Sequence, residues 1–298
     1  MFEMIGITKS FDRREVLKDI TVTLREGSIL GVVGTNGAGK STLLRIASGA
    51  YRPDAGRVLL DGEELREDSP VRREIFYISD DPYTFPNGTI WEMRDFYRAL
   101  YPAFDDILLS RLTELLGLGL RQKTSSFSKG MLRQAMICLA FASHARMILF
   151  DETFDGLDPV MRQAVKGLIA QRVEAGELLP VIASHNLREL EDIADHVAVL
   201  HRGMMVSELF LNREQELVKA QCAFEEPPER DWFRELELLQ WNPNGRFVSF
   251  TARCSRAEAE AALAARNPLF SEFIPLSLEE IFIAQMEGVG YEAKNILL

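Results

Sequence analysis

With 298 residues, 47% hydrophobic and 27% charged, the chain is long enough to bury a core in one large domain with an appendage, or in two modest domains. A formal net charge of −11 withholds the basic footprint that phosphate backbones reward, which argues against nucleic acid as a partner. Cys138, Cys222 and Cys254 have neither disulfide-framework nor metal-ligand spacing, the N-terminus lacks a signal-peptide pattern, and the most apolar window, MICLAFASHARMILF, is interrupted by His144 and Arg146, so a reducing cytoplasm is expected.

In chain order, short alternating segments with a turn at Glu26-Gly27 come first, and GRVLLDGEEL with Asp61-Gly62 later, predicting hairpins of a small antiparallel layer. Between them ILGVVG, 29 to 34, is a short apolar run ending in glycine and followed by the helix-like KSTLLRIASGA. Residues 89 to 120 are helical in pattern, with a break at Pro102. RMILF and LPVIAS repeat the behaviour of ILGVVG. Strands apolar on both faces and separated by helices predict an α/β fold with a parallel sheet covered by helices.

Near residues 205 to 225 the pattern changes, and EEPPER, 225 to 230, reads as an exposed connector. LELLQW and RFVSFTAR flank NPNG as a hairpin. SRAEAEAALAA and SLEEIFIAQMEG each begin with a capping-box pair, Ser255 with Glu258 and Ser277 with Glu280. A small α+β appendage is expected.

GTNGAGKST, 34 to 42, matches GxxxxGK[ST] between a predicted strand and a predicted helix, the context its mechanism requires. Gly34, Thr35, Asn36, Gly37, Ala38 and Gly39 would turn backbone N–H groups toward phosphate oxygens. Lys40 would reach β- and γ-phosphates and Ser41 would ligate Mg²⁺, with Thr42 closing the motif. RMILF delivers Asp151 and Glu152 to its carboxyl end, where open α/β sheets place their ligands. Adjacent carboxylates there call for a cation, which assigns Asp151 to the Mg²⁺ shell and Glu152 to a general base; two helix-capping acids are the competing reading. His185, after LPVIAS, is placed either to meet a γ-phosphate or attacking water or to serve as a structural histidine. In SSFSKGMLRQ, 125 to 134, Ser128 and Gly130 precede a helix and either cap it or hold an anion on its free N–H groups.

GTNGAGKST, FSKGM, MILFDE, FDGLDP and the Ser184-His185 pair, in that order over roughly the first 210 residues, resemble the P-loop, signature, Walker B strand, D-loop and H-loop of an ABC transporter nucleotide-binding subunit. The resemblance implies a P-loop ABC ATPase core over 1–216, with an antiparallel β-subdomain and a helical subdomain near 82–145, and an accessory domain over 217–298. It further implies that Phe11 stacks on adenine, ordinary core packing being the alternative. Two subunits would close head to tail on two ATP molecules. Ser128 and Gly130 would then contact the γ-phosphate held by the other subunit, and Asp158 would couple the two sites.

Two departures from the family pattern stand out. FYISDDPYTF has Asp80, beside Asp81, where the family commonly has glutamine. An acid reaches Mg²⁺ through water, but it donates no amide hydrogen bond and adds negative charge near Asp151 and Glu152. Lys129 and Met131 alter the signature, Lys129 being either a cation near phosphate or a solvated side chain. These changes and SLEEIFIA are similar to a branch of stand-alone ATPase subunits paired with separate, exporter-type membrane subunits. Residues 89 to 120 would then receive the membrane partner, with Pro82, Tyr83, Phe85 and Trp91 as anchors or as internal packing.

The expected function is an ATP-hydrolysing motor that dimerises on ATP at the cytoplasmic face of a membrane and drives a separate spanning subunit in export. Two other readings are a soluble ABC ATPase of translation or repair and a nucleotide-gated interaction protein with little turnover. The first lacks its usual duplicated cassettes or coiled-coil insertions, and Glu152 with His185 weighs against the second. The appendage is expected to stabilise, regulate or dimerise.

Overall fold

A computed structural model describes residues 1–211 and 217–288. The chain divides into two units, Met1–Leu209 and Phe210–Leu298. The junction expected at 216/217 falls on residues 212–216, outside the described residues.

In the first unit, β1 (Phe2–Phe11) pairs antiparallel with β2 (Arg14–Leu24). Next come β3 (Leu30–Gly34) and α1 (Lys40–Ala47); β4 (Ala55–Leu60) returns to pair antiparallel with β1, and the short β5 (Glu63–Glu64) with β4. These strands, in the order β2-β1-β4-β5, form the small antiparallel layer. The chain continues through β6 (Ile75–Ile78), α2 (Ile90–Leu100), α3 (Asp106–Leu115), α4 (Lys129–Ala142), β7 (Met147–Asp151), α5 (Pro159–Glu174), β8 (Leu179–Ser184), α6 (Leu187–Glu191), β9 (His196–His201) and β10 (Met204–Phe210).

A six-stranded sheet has the order β10-β9-β3-β8-β7-β6, and its β6/β7, β7/β8, β8/β3 and β3/β9 pairs are parallel. Every residue of β3, β7 and β8 is buried, as a parallel sheet covered on both faces demands of runs such as LGVVG and MILFD. Leu43 and Leu44 of α1 join Leu30, Val32, Met147 and Val181 of the large sheet and Phe2, Met4 and Ile20 of the small one in one core cluster. Fully burying each such side chain contributes about 1.5–3 kcal/mol. This packing fixes the start of α1 at the carboxyl ends of β3 and β7.

The helical pattern over 89 to 120 resolves into α2 and α3. Thr89 and Glu92 form a capping box on α2, Tyr101 ends it before Pro102, and Asp105 caps α3 by accepting from Ile107 and Leu108 N–H.

The second unit holds β11 (Leu217–Ala223), β12 (Glu237–Asn244), β13 (Phe247–Arg253), α7 (Arg256–Ala264), β14 (Phe270–Ile274) and α8 (Leu278–Gly288). Its antiparallel sheet runs β12-β13-β11-β14, the strand order of a ferredoxin-like split βαβ unit whose first crossover is reduced to a 3₁₀ turn at Arg230–Phe233. EEPPER therefore lies inside this unit, leading from β11 toward that turn. The hairpin turn is tighter than NPNG implied: β12 runs through Asn244, and Gly245 enters the turn with φ +60°. Phe233 packs 5.1 Å from Phe250 and 5.9 Å from Trp241, ring centre to ring centre, forming a core of its own. Both capping boxes are present, Ser255 with Glu258 and Ser277 with Glu280.

Candidate nucleotide-binding site

The site grows from the end of β3. Gly34 is buried so tightly that a Cβ there would stand 2.5 Å from the Leu200 carbonyl oxygen. Thr35 O accepts from Ala38 N at 3.0 Å, bending the loop and leaving Asn36 and Gly37 exposed. Gly39 has φ +111°, where a side chain is strained, and its Cβ would lie 2.7 Å from Leu17 Cδ2. It begins α1 without a side-chain cap, whereas Thr89, Ser128 and Asp158 cap α2, α4 and α5. The first-turn N–H groups of α1, which no intrahelical carbonyl can reach, are thus presented to the loop.

Lys40 is only 6% exposed, and its Nζ donates to Gly34 O at 2.8 Å while lying 3.2 Å from Glu152 Oε1. Ser41 and Thr42, both half-buried, follow it. The Ser41 hydroxyl donates to Asp151 Oδ1 at 3.0 Å, and Tyr77 Oη on β6 donates to Asp151 Oδ2 at 2.7 Å. Burial pushes the Asp151 carboxyl above the usual range and the Glu152 charge adds to this, while the Tyr77 and Ser41 hydroxyls and Arg45 oppose it. Burial, then the Asp151 charge, also drives the Tyr77 phenol upward.

Glu152 adopts φ +49°, a left-handed conformation that costs a non-glycine residue about 1–3 kcal/mol. Its N–H donates to Ala183 O at 3.0 Å, across to β8. The turn sets the carboxylate between two groups: Oε1 faces Lys40, and Oε2 accepts from His185 N at 3.2 Å and stands 2.7 Å from His185 Nδ1. A carboxylate acceptor places the ring proton on Nδ1 and leaves Nε2 outward.

Phe11 ends β1 with 39% of its surface exposed, its ring 5.5 Å from that of Tyr51 and 5.4 Å from Lys9 Nζ. Core packing does not account for it. Arg45 Nη1 reaches Tyr51 Oη at 3.4 Å, and the Arg45 charge favours the ionised Asp151, which links the Phe11 neighbourhood electrostatically to that carboxylate. Tyr77, Tyr51 and Arg45 were not among the expected site residues; the one signal was the Tyr77 hydroxyl in IFYI, a strand otherwise apolar.

Ser128 caps α4, its Oγ accepting from Met131 N at 3.2 Å, and Asp158 caps α5, Oδ1 accepting from Val160 and Met161 N at 3.0 Å each. Gly130 sits against the D-loop: a Cβ on it would be 2.8 Å from Gly156 O. Among the described residues, no side-chain hydrogen bond or ion pair joins Ser128 or Asp158 to Lys40, Asp151 or Glu152, and Lys129 has no ion-pair partner. Asp80, expected beside the metal, instead has its carboxylate on Arg133 Nη2 at 2.6 Å, because that guanidinium is aimed at it from α4. Of the aromatic anchors, Tyr83 is exposed, Trp91 stacks under the Arg94 guanidinium at 3.7 Å, and Phe85 packs on Phe96 at 5.7 Å.

An uncapped helix start, a glycine cradle and a buried ammonium suit a polyphosphate. The Ser41 hydroxyl and a buried carboxylate suit a hard, oxygen-seeking cation such as Mg²⁺.

Known proteins resemble this chain in sequence and in fold. A family model described as "ABC transporter" matches residues 17–155. ABC transporter ATP-binding protein YtrB of Bacillus subtilis (strain 168) is 29% identical over 97% of this chain and 99% of its own length. ABC-type transporter ATP-binding protein EcsA of the same strain is 32% identical over 66% of this chain and 82% of its own. The ATP-binding cassette MJ0796, solved as a dimer in a post-hydrolysis state bound to ADP and Pi, superposes with a TM-score of 0.65 at 21% identity, over 72% of this chain and 100% of that one. Other similar chains are named for spermidine/putrescine import and for sulfate/thiosulfate import. On the fold, the loop and these likenesses together, the chain belongs to the ATP-binding subunits of ABC transporters, a family of ATPases.

Proposed function

We propose that the chain is a motor subunit that closes head to tail with a second nucleotide-binding subunit on ATP, hydrolyses it, and so drives a separate membrane-spanning subunit. The observation that carries this reading is the Glu152 carboxylate held between Lys40 and His185 beside the uncapped start of α1. Phosphate and Glu152 compete for the same ammonium. Once Lys40 turns to β- and γ-phosphate oxygens, Glu152 Oε1 is released to take a proton from water, while His185 keeps Oε2 fixed and offers Nε2 toward the γ-phosphate.

Ser41 and Asp151 would hold Mg²⁺, which supplies electrostatic stabilisation of the charge that develops on the transferring phosphoryl group. The Tyr77 hydroxyl donates to Asp151 and favours its ionised form against the pull of burial. Phe11 offers adenine an exposed aromatic face. Ser128 and Gly130 present the start of α4 to the neighbour's γ-phosphate, and Asp158 fixes the D-loop between the two sites. The dimeric MJ0796 cassette supports this arrangement at the level of the fold.

No helix among the described residues is long and apolar enough to cross a membrane, so on this reading the chain meets the cytoplasmic face through its spanning partner. The export direction rests on the likeness of Asp80, Lys129 and SLEEIFIA to an exporter-type branch. Cassettes named for import are similar too, and they lend export no support.

The experiment is steady-state ATP turnover by the purified chain and its Glu152→Gln variant, with and without the spanning subunit. The reading expects ATP binding to persist and turnover to vanish in the variant. Undiminished hydrolysis would remove Glu152 from the mechanism.

A further inference from the structure

We propose that Arg133 and Asp80 are a positioning pair that ties the end of β6, the start of α4 and the loop after Glu152 into one joint, so that the acid at position 80 serves the signature helix and not the metal. Arg133 is on the second turn of α4. Its Nη2 lies 2.6 Å from Asp80 Oδ1 and donates also to Asp80 O at 3.3 Å, and its Nη1 donates to Asp155 O. The arginine side chain is 11% exposed and the aspartate 59%, so the guanidinium is the committed, nearly buried member. Its Nε is buried and makes no hydrogen bond, which leaves the two terminal nitrogens to hold the group in place.

Two glycines permit this contact. Gly130 lies three residues before Arg133, on the same face of α4, and its missing Cβ lets the helix approach Gly156 O, where that carbon would stand at 2.8 Å. Gly156, with φ +77°, would set a Cβ 3.2 Å from Arg133 Nη1. Asp155 N in turn donates to Glu152 O at 3.3 Å. A run of contacts therefore leads from the Glu152 turn through Asp155 to Arg133 and on to Asp80. A planar guanidinium with fixed donors imposes orientation on both loops it joins, which a lysine could not do.

The consequence is that Asp80 and Arg133 act as a unit on catalysis, by setting where α4 stands relative to the Glu152 loop. The role of α4 in this inference rests on the reading that Ser128 and Gly130 face a neighbour's nucleotide. The test is a double-mutant cycle of Asp80→Asn and Arg133→Met on kcat, alongside the Mg²⁺ concentration needed for half-maximal nucleotide binding. Each single variant is expected to lower kcat about ten-fold and the double variant about ten-fold as well, where independent effects would multiply to about a hundred-fold. The Mg²⁺ midpoint is expected to stay within about two-fold of wild type in all three.

Nucleotide binding with a wild-type Mg²⁺ midpoint in each single variant reports a folded first unit, so a lowered kcat there cannot be put down to misfolding. A multiplicative double variant would overturn the pairing. A Mg²⁺ midpoint raised by Asp80→Asn but not by Arg133→Met would return Asp80 to the metal. ATP-dependent dimerisation of the Glu152→Gln variant alone tests the head-to-tail reading, so a failure there is distinguishable from a failure of the cycle.

Discussion

Lys40 Nζ lies 3.2 Å from Glu152 Oε1 and only 2.8 Å from Gly34 O, so the ammonium that would grip phosphate is shared with the carboxylate that would activate water. Removing that competitor should help binding and stop chemistry. Glu152→Gln is expected to bind ATP about 3- to 10-fold more tightly than wild type at protein concentrations too low for dimers, and Lys40→Ala at least about ten-fold more weakly. Equilibrium titration with a fluorescent nucleotide measures both.

Asp151 is fully buried, and burial, aided by the Glu152 charge, raises its carboxyl above the usual range. A carboxyl whose folded pKa exceeds its unfolded value contributes stability at low pH that is lost as pH rises through the folded pKa. At neutral pH, in chelator, Asp151→Asn should therefore unfold at a higher temperature than wild type. The gain is expected at about 1 kcal/mol, or about 2–4 °C in Tm, and should shrink as pH falls into the acid range. Turnover should be lost. Calorimetry across pH checks the first claim and a phosphate-release assay the second.

Phe11 is 39% exposed at the end of β1 and so contributes little to the core, and truncation should cost ligand affinity more than stability. Phe11→Ala is expected to weaken ATP binding about ten-fold, within the about 1–3 kcal/mol typical of base–aromatic stacking. Phe11→Tyr should keep affinity within about two-fold. Binding titrations, with Tm followed in parallel, separate the two effects.

Gly130 has no room for a side-chain carbon, since one would stand 2.8 Å from the Gly156 carbonyl oxygen. Gly130→Ala must push α4 and the D-loop apart. It should destabilise the first unit by about 1–3 kcal/mol and slow hydrolysis, while Gly167→Ala on α5, where a Cβ meets nothing within 4 Å, should do neither. Thermal melts and turnover of the pair provide the comparison.

How much of this was legible in the sequence depends on how local each feature is. The glycine-rich loop and the carboxyl-end acids were readable because short apolar runs fix where a strand stops and α1 begins. The caps at Ser255 and Ser277 were readable because a capping box joins residues only three apart. Arg133 was not, because its partner Asp80 is far away in the chain and meets it only once β6 and α4 are assembled. Tyr77 escaped notice because a tyrosine in a buried strand looks like packing until its hydroxyl is seen on Asp151. The strand order of the second unit was hidden too: it depends on β11 lying between β13 and β14, pairings that no local pattern encodes.

The central claim is that Ser128 faces a neighbour's nucleotide as well as capping α4. Aspartate caps a helix as well as serine does, so Ser128→Asp keeps the cap and adds a charge that repels phosphate. Light scattering of Glu152→Gln with Mg²⁺ and ATP should report a dimer, and the same variant carrying Ser128→Asp should stay monomeric while still binding ATP. Dimers of undiminished mass and stability in the second case would contradict the account and leave Ser128 a cap alone.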